Sequence, residues 1–201
     1  MKLYHCPGSR SIRIVWLLEE LGLEYELVSM PLGDAQMRTP EYLAIHPAGR
    51  VPALEDGDVT LFESGAIVQY LLARYGKGAM VPAVIAPEFP EYLQWLHYAE
   101  GMIMPQVNSI VVETKFLPPE KRNETNVARA TKLLTRMLAA VDAHMEGRAF
   151  LAGEFSGADI MTGHACVVAD RLGADLSGYP NVRAYVDRLK ARPALQTALA
   201  A

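Results

Sequence analysis

Cysteine is scarce in this chain: Cys6 and Cys166 are the only two among 201 residues. They form no CxxC pair, so neither a disulfide framework nor zinc-type spacing has support, and the low count suits a reducing compartment. The five histidines (His5, His46, His97, His144 and His164) fall into no ligand pattern either, so no metal is expected. No apolar run approaches the roughly 18–20 residues that span a bilayer, and MKLYHCPGSR places no apolar stretch before a small-residue cleavage site. A cytoplasmic protein with no membrane partner is the expectation. An excess of one charge is also missing. The net charge is −4 with both signs interspersed, which leaves no basic stripe for nucleic acid.

Hydrophobic residues are plentiful, 51% against 21% charged, enough to build a core in one large domain or two small ones. Their period changes along the chain. Lys2 to Cys6 reads as a short strand; Ile14, Leu17, Leu18 and Leu21 then recur at helical spacing, with Gly22 as the stop. Tyr25 to Met30 alternates as a second strand, which a right-handed helical crossover makes parallel to the first. After the polar, loop-like stretch Pro31 to Pro40, Val51 to Glu55 and Val59 to Phe62 flank Asp56-Gly57-Asp58, a hairpin signal. A helix from Ser64 to Tyr75 completes the order β-α-β-α-β-β-α.

Pro82, Pro87 and Pro90 punctuate residues 76–90, an interdomain linker by composition. Beyond it the period is helical: Tyr92 to Val112, bent at Pro105; Asn126 to Met145; and a last helix opened by Pro180 and carrying Val182, Tyr185, Val186 and Leu189. The expected fold is an α/β domain followed by an all-α domain, over residues 1–77 and 86–201. Phe155-Ser156-Gly157-Ala158-Asp159-Ile160 fits a capping box. Ser156 accepts from the Asp159 amide and the Asp159 carboxylate reaches back to the Ser156 amide, with Phe155 and Ile160 at the staple positions. Its role is structural.

Three segments carry candidate chemistry. Ser9, in Cys6-Pro7-Gly8-Ser9, stands between strand and helix as an N-cap or as a hydroxyl that donates to a thiolate; local residues leave both open. A free thiol titrates near pH 8.5, so lowering its pKa by about two units takes roughly 2.7 kcal/mol. One charge-assisted hydrogen bond (about 1.5–3 kcal/mol) and a helix end (about 0.3–1 kcal/mol) supply that. Ser11 is a second hydroxyl in the first turn. Cys6 is either a small buried residue or the nucleophile of a Cys-x-x-Ser motif.

In His46-Pro-Ala-Gly-Arg-Val-Pro52 a proline precedes a hairpin strand. A cis Val51-Pro52 bond turns the Val51 N–H and C=O outward for an extended peptide to pair with; a trans bond makes an ordinary strand start. In Glu63-Ser64, Ser64 is a natural N-cap, and the same helix start suits a carboxylate, with Glu63 beside it for an ammonium group. Trp95, Tyr98, Met102 and Met104 are core residues or, for some of them, the lining of a pocket facing the first domain.

Taken in order, MKLYHCPGSRSIRIVWLLEELGLEYE, HPAGRVPALEDGD, LFESGAIVQYL, FSGADI and YPNVRAYVDRLKARPAL resemble the cytosolic glutathione transferase family over nearly the whole chain. The resemblance implies a thioredoxin-like domain that binds glutathione and an all-helical domain that contributes the electrophile pocket, with Tyr98 and Met102 in it. It implies that Pro52 is cis, that Val51 pairs with the cysteinyl backbone of glutathione, that Glu63 and Ser64 hold the γ-glutamyl end, and that Arg50 lies near the peptide. In the family's serine classes the active serine precedes the helix arginine by four positions, and counting back from Arg13 gives Ser9. Zeta-like members place it at Gly8 and cysteine-type members at Arg10, so Arg10 and Ser11 are the alternatives; Tyr4 lies inside the strand.

The activity so implied joins the glutathione thiolate to small apolar electrophiles, in a homodimer with glutathione as co-substrate. The alternatives are a catalytically silent glutathione- or ligand-binding protein and a glutathione-dependent peroxidase or thiol reductase. The reductase would need Cys6.

Overall fold

Short apolar runs at the start of the chain become strands of one sheet. In the computed structural model, which describes residues Met1–Ala201, β1 (Lys2–His5) pairs in parallel with β2 (Glu26–Ser29) and antiparallel with β3 (Ala53–Asp56). The hairpin partner of β3 is β4 (Val59–Phe62), giving the order β2-β1-β3-β4. Gly57, at φ +60°, and Asp58 make the two-residue turn between them. The parallel pair needs a crossover, and α1 (Ile12–Leu21) supplies it. Gly22 ends α1 in the left-handed conformation, with its own amide on the Glu19 carbonyl and the Leu23 amide on the Leu18 carbonyl, a Schellman closure.

The polar stretch after β2 holds one 3-10 turn, Ala35–Arg38, with the Asp34 carboxylate accepting from the Gln36 amide. Next come α2 (Pro40–Ile45), capped by Thr39, and after the hairpin α3 (Ser64–Tyr75).

Helices then follow one another. After α4 (Phe89–Tyr98) the chain passes through a π-helical stretch, Ala99–Ile103, into α5 (Met104–Val111), and a second π-helical stretch, Val112–Phe116, follows. Pro105 lies in the first turn of α5 and has no N–H to give the Gly101 carbonyl, a loss that coincides with the widened turn ahead of it. Asn123 caps α6 (Glu124–His144), its side-chain oxygen accepting from the amides of Thr125 and Asn126 at 2.9 and 3.2 Å. A helix opening at Gly157 runs through the π-helical stretch Asp159–Gly163 into α7 (His164–Arg171). In α8 (Pro180–Lys190), Val182, Tyr185, Val186 and Leu189 are all buried.

The capping box around Asp159 is built differently in one arm. Its carboxylate accepts from the Ser156 amide at 2.8 Å as expected, but the Ser156 hydroxyl accepts from the Ala158 amide, not from Asp159, and donates to the same carboxylate at 3.1 Å. The Leu151 amide and the Tyr185 hydroxyl complete the shell at 3.1 and 2.6 Å.

α8 is not the last helix. After Arg192 comes α9 (Pro193–Ala200), which packs on α1; the Arg192 guanidinium grips both oxygens of Glu20, at 2.6 and 2.8 Å. The chain thus divides into Met1–Val81 with Lys190–Ala201, and Pro82–Leu189. Residues 190–201, grouped by sequence with the helical domain, belong to the first unit. With α3 and α9 against it, α1 buries seven consecutive residues, Ile12 to Leu18. No helix is long and apolar enough to cross a membrane.

Candidate functional site

The sheet register brings three loops to one end. Tyr4 stands opposite Ala53, and Ala53 opposite Phe62. The carboxyl ends of β1 and β4 therefore flank the start of β3, and Cys6–Ser11, Val51-Pro52 and Glu63-Ser64 all open at that end.

The loop into β3 is pinned from below. Arg38 donates to the Ala48 carbonyl at 3.0 Å, the Gly49 amide donates to the His46 carbonyl at 2.7 Å, and the Tyr42 hydroxyl donates to the Arg50 carbonyl at 2.6 Å. Gly49, at φ +58°, is obligatory here, because a Cβ would strike the Met37 carbonyl and the Arg38 side chain. The Val51-Pro52 bond is cis. Val51 packs its side chain on the cluster of Tyr4, Cys6, Met30, Met37, Tyr42 and Ala53, and neither its N–H nor its C=O has a partner within the chain. That pair is free to bond an extended peptide. Arg50 is exposed at the same edge.

Ser9, half-buried, both caps the turn and meets a second hydroxyl. Its Oγ accepts from the Ser11 amide at 3.2 Å and lies 2.7 Å from the Ser11 Oγ. Ser11 is fully buried; its Oγ also accepts from the Cys6 amide at 3.1 Å and lies 2.9 Å from His5 Nδ1. Gly8, at φ +74°, makes the preceding turn, and Arg10 beside Ser9 is half-buried.

Ser64 is not the N-cap of α3. That position falls to Glu63, whose backbone takes φ +73°, ψ 112°, a conformation that costs a non-glycine residue of order 1–3 kcal/mol and concentrates at functional sites. Ser64, buried in the first turn, instead accepts from Arg13 Nη1 at 3.0 Å. The Ser64 proton is left to donate, and the first helical bond of α3, from the Ile67 amide to the Glu63 carbonyl, leaves three earlier amides open. A hydroxyl donor, backed by a buried guanidinium and free amides at a helix N-terminus, is a carboxylate site. The exposed Glu63 carboxylate stands next to it for an ammonium group.

Sequence comparison agrees with this geometry. Residues 1–73 match the glutathione S-transferase N-terminal domain, and residues 124–188 match its C-terminal domain. Glutathione S-transferase 4 of Zea mays is 36% identical over 90% of this chain and 83% of its own length. The chain belongs to the glutathione S-transferase family.

Two solved glutathione S-transferase relatives share the whole architecture. A glutathione transferase from Pseudomonas putida, described with one glutathione disulfide bound per subunit, superposes with a TM-score of 0.88 at 28% identity, over 98% of this chain and 90% of its own. BphK, a bacterial member of the family, gives 0.86 at 30% identity, over 100% and 98%. The thioredoxin-like assignment of the β-containing part, with helices following, holds for this member of the family.

Other candidates sort by their surroundings. The Tyr4 hydroxyl donates to Glu55 at 2.7 Å, and burial pushes its phenol pKa up, so it is an internal partner of the sheet. Cys6 is 2% exposed, and burial raises its thiol pKa, the reverse of what a nucleophilic thiolate needs. In the second unit Trp95 and Met104 are core; Tyr98 is half-buried with its hydroxyl on the Met137 carbonyl at 3.1 Å, and Met102 is 40% exposed. No group of three or more His, Cys, Asp or Glu side chains is arranged to hold a metal ion. Sequence reasoning missed His5, Tyr42 and the support that Arg13 gives Ser64. The apolar context of Arg13, inside Ile12–Leu18, was the one available signal, since a cation there must find a partner.

Proposed function

We propose that this chain is a glutathione transferase that joins the glutathione thiolate to small apolar electrophiles. The observation that carries the reading is the unpartnered N–H and C=O of Val51, at the same sheet end as the first turns of α1 and α3. A tripeptide laid along Val51 as an added strand puts its γ-glutamyl carboxylate on the Ser64 hydroxyl and the open amides of α3, and its ammonium on Glu63. Its middle residue then delivers sulfur to Ser9, with Arg50 near the rest of the peptide.

At Ser9 the sulfur meets a hydroxyl donor and the amide end of α1. Ionisation releases the thiol proton to solvent, and the Ser9 hydroxyl stabilises the thiolate that remains. The thiolate attacks the electrophilic carbon, forming a C–S bond as the leaving group departs or as an adjacent π-bond takes up the electron pair. Holding the two reactants together supplies much of the acceleration. We assign the electrophile to the second unit, where Met102 and Tyr98 are the candidates, and a homodimer to the assembly by family resemblance.

The test is retention on immobilised glutathione, followed by a panel of electrophiles with wild type and Ser9→Ala. Retention with turnover that depends on Ser9 supports the reading. Retention without turnover favours a silent binding protein, and loss of retention removes both. A second reading, peroxide reduction at the expense of glutathione, draws support from the Pseudomonas putida relative with glutathione disulfide bound. Hydroperoxide turnover by wild type and by Cys6→Ser separates it from a cysteine-dependent reductase, which the buried Cys6 does not favour.

A further inference from the structure

His5, Ser11 and Ser9 form a chain of contacts from the interior to the proposed sulfur position. His5 is buried, and burial holds its pKa below the usual histidine value, so it is neutral near pH 7 with one N–H to place. No charged side chain contributes to that shift; its ring nitrogens face the Ser11 hydroxyl at 2.9 Å and a backbone oxygen of Ala201 at 3.4 Å.

The Ser11 hydroxyl has one proton and two acceptor positions. The Cys6 amide fills one acceptor position, at 3.1 Å. The Ser11 proton has the Cys6 carbonyl in reach at 3.3 Å as well as His5 Nδ1 and Ser9, and two arrangements of the His5–Ser11–Ser9 chain decide where the Ser9 proton goes. In the inward one, His5 carries its proton on Nε2 and donates to Ala201; Ser11 donates to Nδ1, and Ser9 donates to Ser11 across 2.7 Å. The Ser9 proton is then spent inside the protein. In the outward one, His5 carries its proton on Nδ1 and fills the second acceptor position of Ser11. Ser11, whose proton goes to Ser9 or to the Cys6 carbonyl, then has no acceptor position left for Ser9, so the Ser9 proton turns away from it, toward a ligand.

We propose that His5 is a positioning residue that, as the Nδ1–H tautomer, locks the Ser11 and Ser9 hydroxyls into the outward arrangement when the glutathione thiolate is bound. The inference rests on the transferase reading of the site. A charge-assisted bond to sulfur outweighs the long 3.4 Å contact to Ala201 that the tautomer change gives up. The change moves one proton from Nε2 to Nδ1 by exchange with solvent, and the two serine protons only rotate. Without His5, one acceptor position on Ser11 reopens and Ser9 can turn its proton inward in competition with the thiolate.

The experiment pairs nitrogen-15 NMR of His5 with titration of the bound thiol by its ultraviolet absorbance. Binding of wild type to immobilised glutathione is established first. With glutathione bound, the His5 spectrum should show Nδ1 protonated and Nε2 bare; S-methylglutathione, which has no thiolate, should not produce that state. In His5→Leu the bound thiol pKa should rise by about half a unit to one unit, and kcat/KM at pH 7 should fall about three- to tenfold and recover at higher pH. His5→Asn, which can present an amide N–H where Nδ1 stood, should restore most of the shift. A packing role alone predicts the opposite order, with leucine better tolerated than asparagine.

If wild type binds glutathione and His5 stays Nε2–H, or if His5→Leu titrates like wild type, the relay is overturned and the transferase reading stands. If wild type does not bind glutathione, that reading falls and takes the relay with it.

Discussion

Arg13 and Ser64, 51 positions apart in sequence, meet in a 3.0 Å hydrogen bond that joins the first turn of α1 to the first turn of α3. Both helices point their amide ends toward the loops that open at one end of the sheet. The guanidinium occupies an acceptor position of the Ser64 oxygen and leaves its proton to donate elsewhere.

Ser64→Ala should therefore act twice. It removes a donor to the γ-glutamyl carboxylate, worth about 1.5–3 kcal/mol, so affinity for glutathione should drop roughly ten- to a hundredfold. It also takes the Ser64 acceptor away from the buried Arg13 guanidinium, at a stability cost of about 1–3 kcal/mol. Binding titration and urea denaturation measure the two separately. Unchanged affinity would remove Ser64 from the site.

Ser9→Ala should raise the pKa of the bound thiol by about one to two units, because the donor to its charged form is gone. A higher pKa means less thiolate at neutral pH, so activity should fall about ten- to a hundredfold at pH 7 and return as pH climbs toward the free-thiol value. A pH–rate profile that keeps the wild-type shape would show that another group ionises the sulfur.

Asp159 offers its two oxygens to four donors: the Leu151 and Ser156 amides and the Tyr185 and Ser156 hydroxyls. Burial pushes the pKa of this carboxyl up, and the four donors pull against that push. Asp159→Ala strips all of them of their acceptor at once and should destabilise the protein by about 3–5 kcal/mol. The expected readout is a lower urea midpoint, with Tyr185→Phe losing only about 1 kcal/mol.

Asp56 accepts from the Tyr75 and Tyr70 hydroxyls, with Arg74 at 3.8 Å. Those contacts, the Tyr75 bond foremost, hold its carboxyl below the usual range. A depressed carboxylate pKa contributes stability that is present above the unfolded value of about 3.9 and is lost as pH falls through the lower folded value. Tyr75→Phe should lower stability at pH 7 and narrow the difference between pH 7 and pH 3. An unaltered difference in chemical denaturation would place the acid sensitivity elsewhere.

Elements with a strong period were legible in sequence. α3 spans Ser64–Tyr75 as the pattern predicts, β4 spans Val59–Phe62, and Gly22 ends α1. Local chemistry was legible too, down to the reach of Asp159 back to the Ser156 amide. What failed to show was anything set by tertiary partners. Ser64 has the composition of an N-cap, but the strained backbone of Glu63 takes that place and Arg13 claims the hydroxyl. α9 carries no sign of its destination, because the Arg192–Glu20 pair that anchors it spans 172 positions. His5 looked like one more scattered histidine, and only the fold of β1 against the α1 turn sets it 2.9 Å from Ser11.

The return of α9 to α1 has a consequence for how the polypeptide matures. α9 is synthesised only after the whole of Pro82–Leu189, yet it completes a hydrophobic surface begun by α1, so that surface is not sealed until the intervening helices have been made. Until then Ile12 to Leu18 remain partly unshielded, and a nascent fragment ending at Val81 should be sticky and chaperone-dependent, however well its four strands have paired.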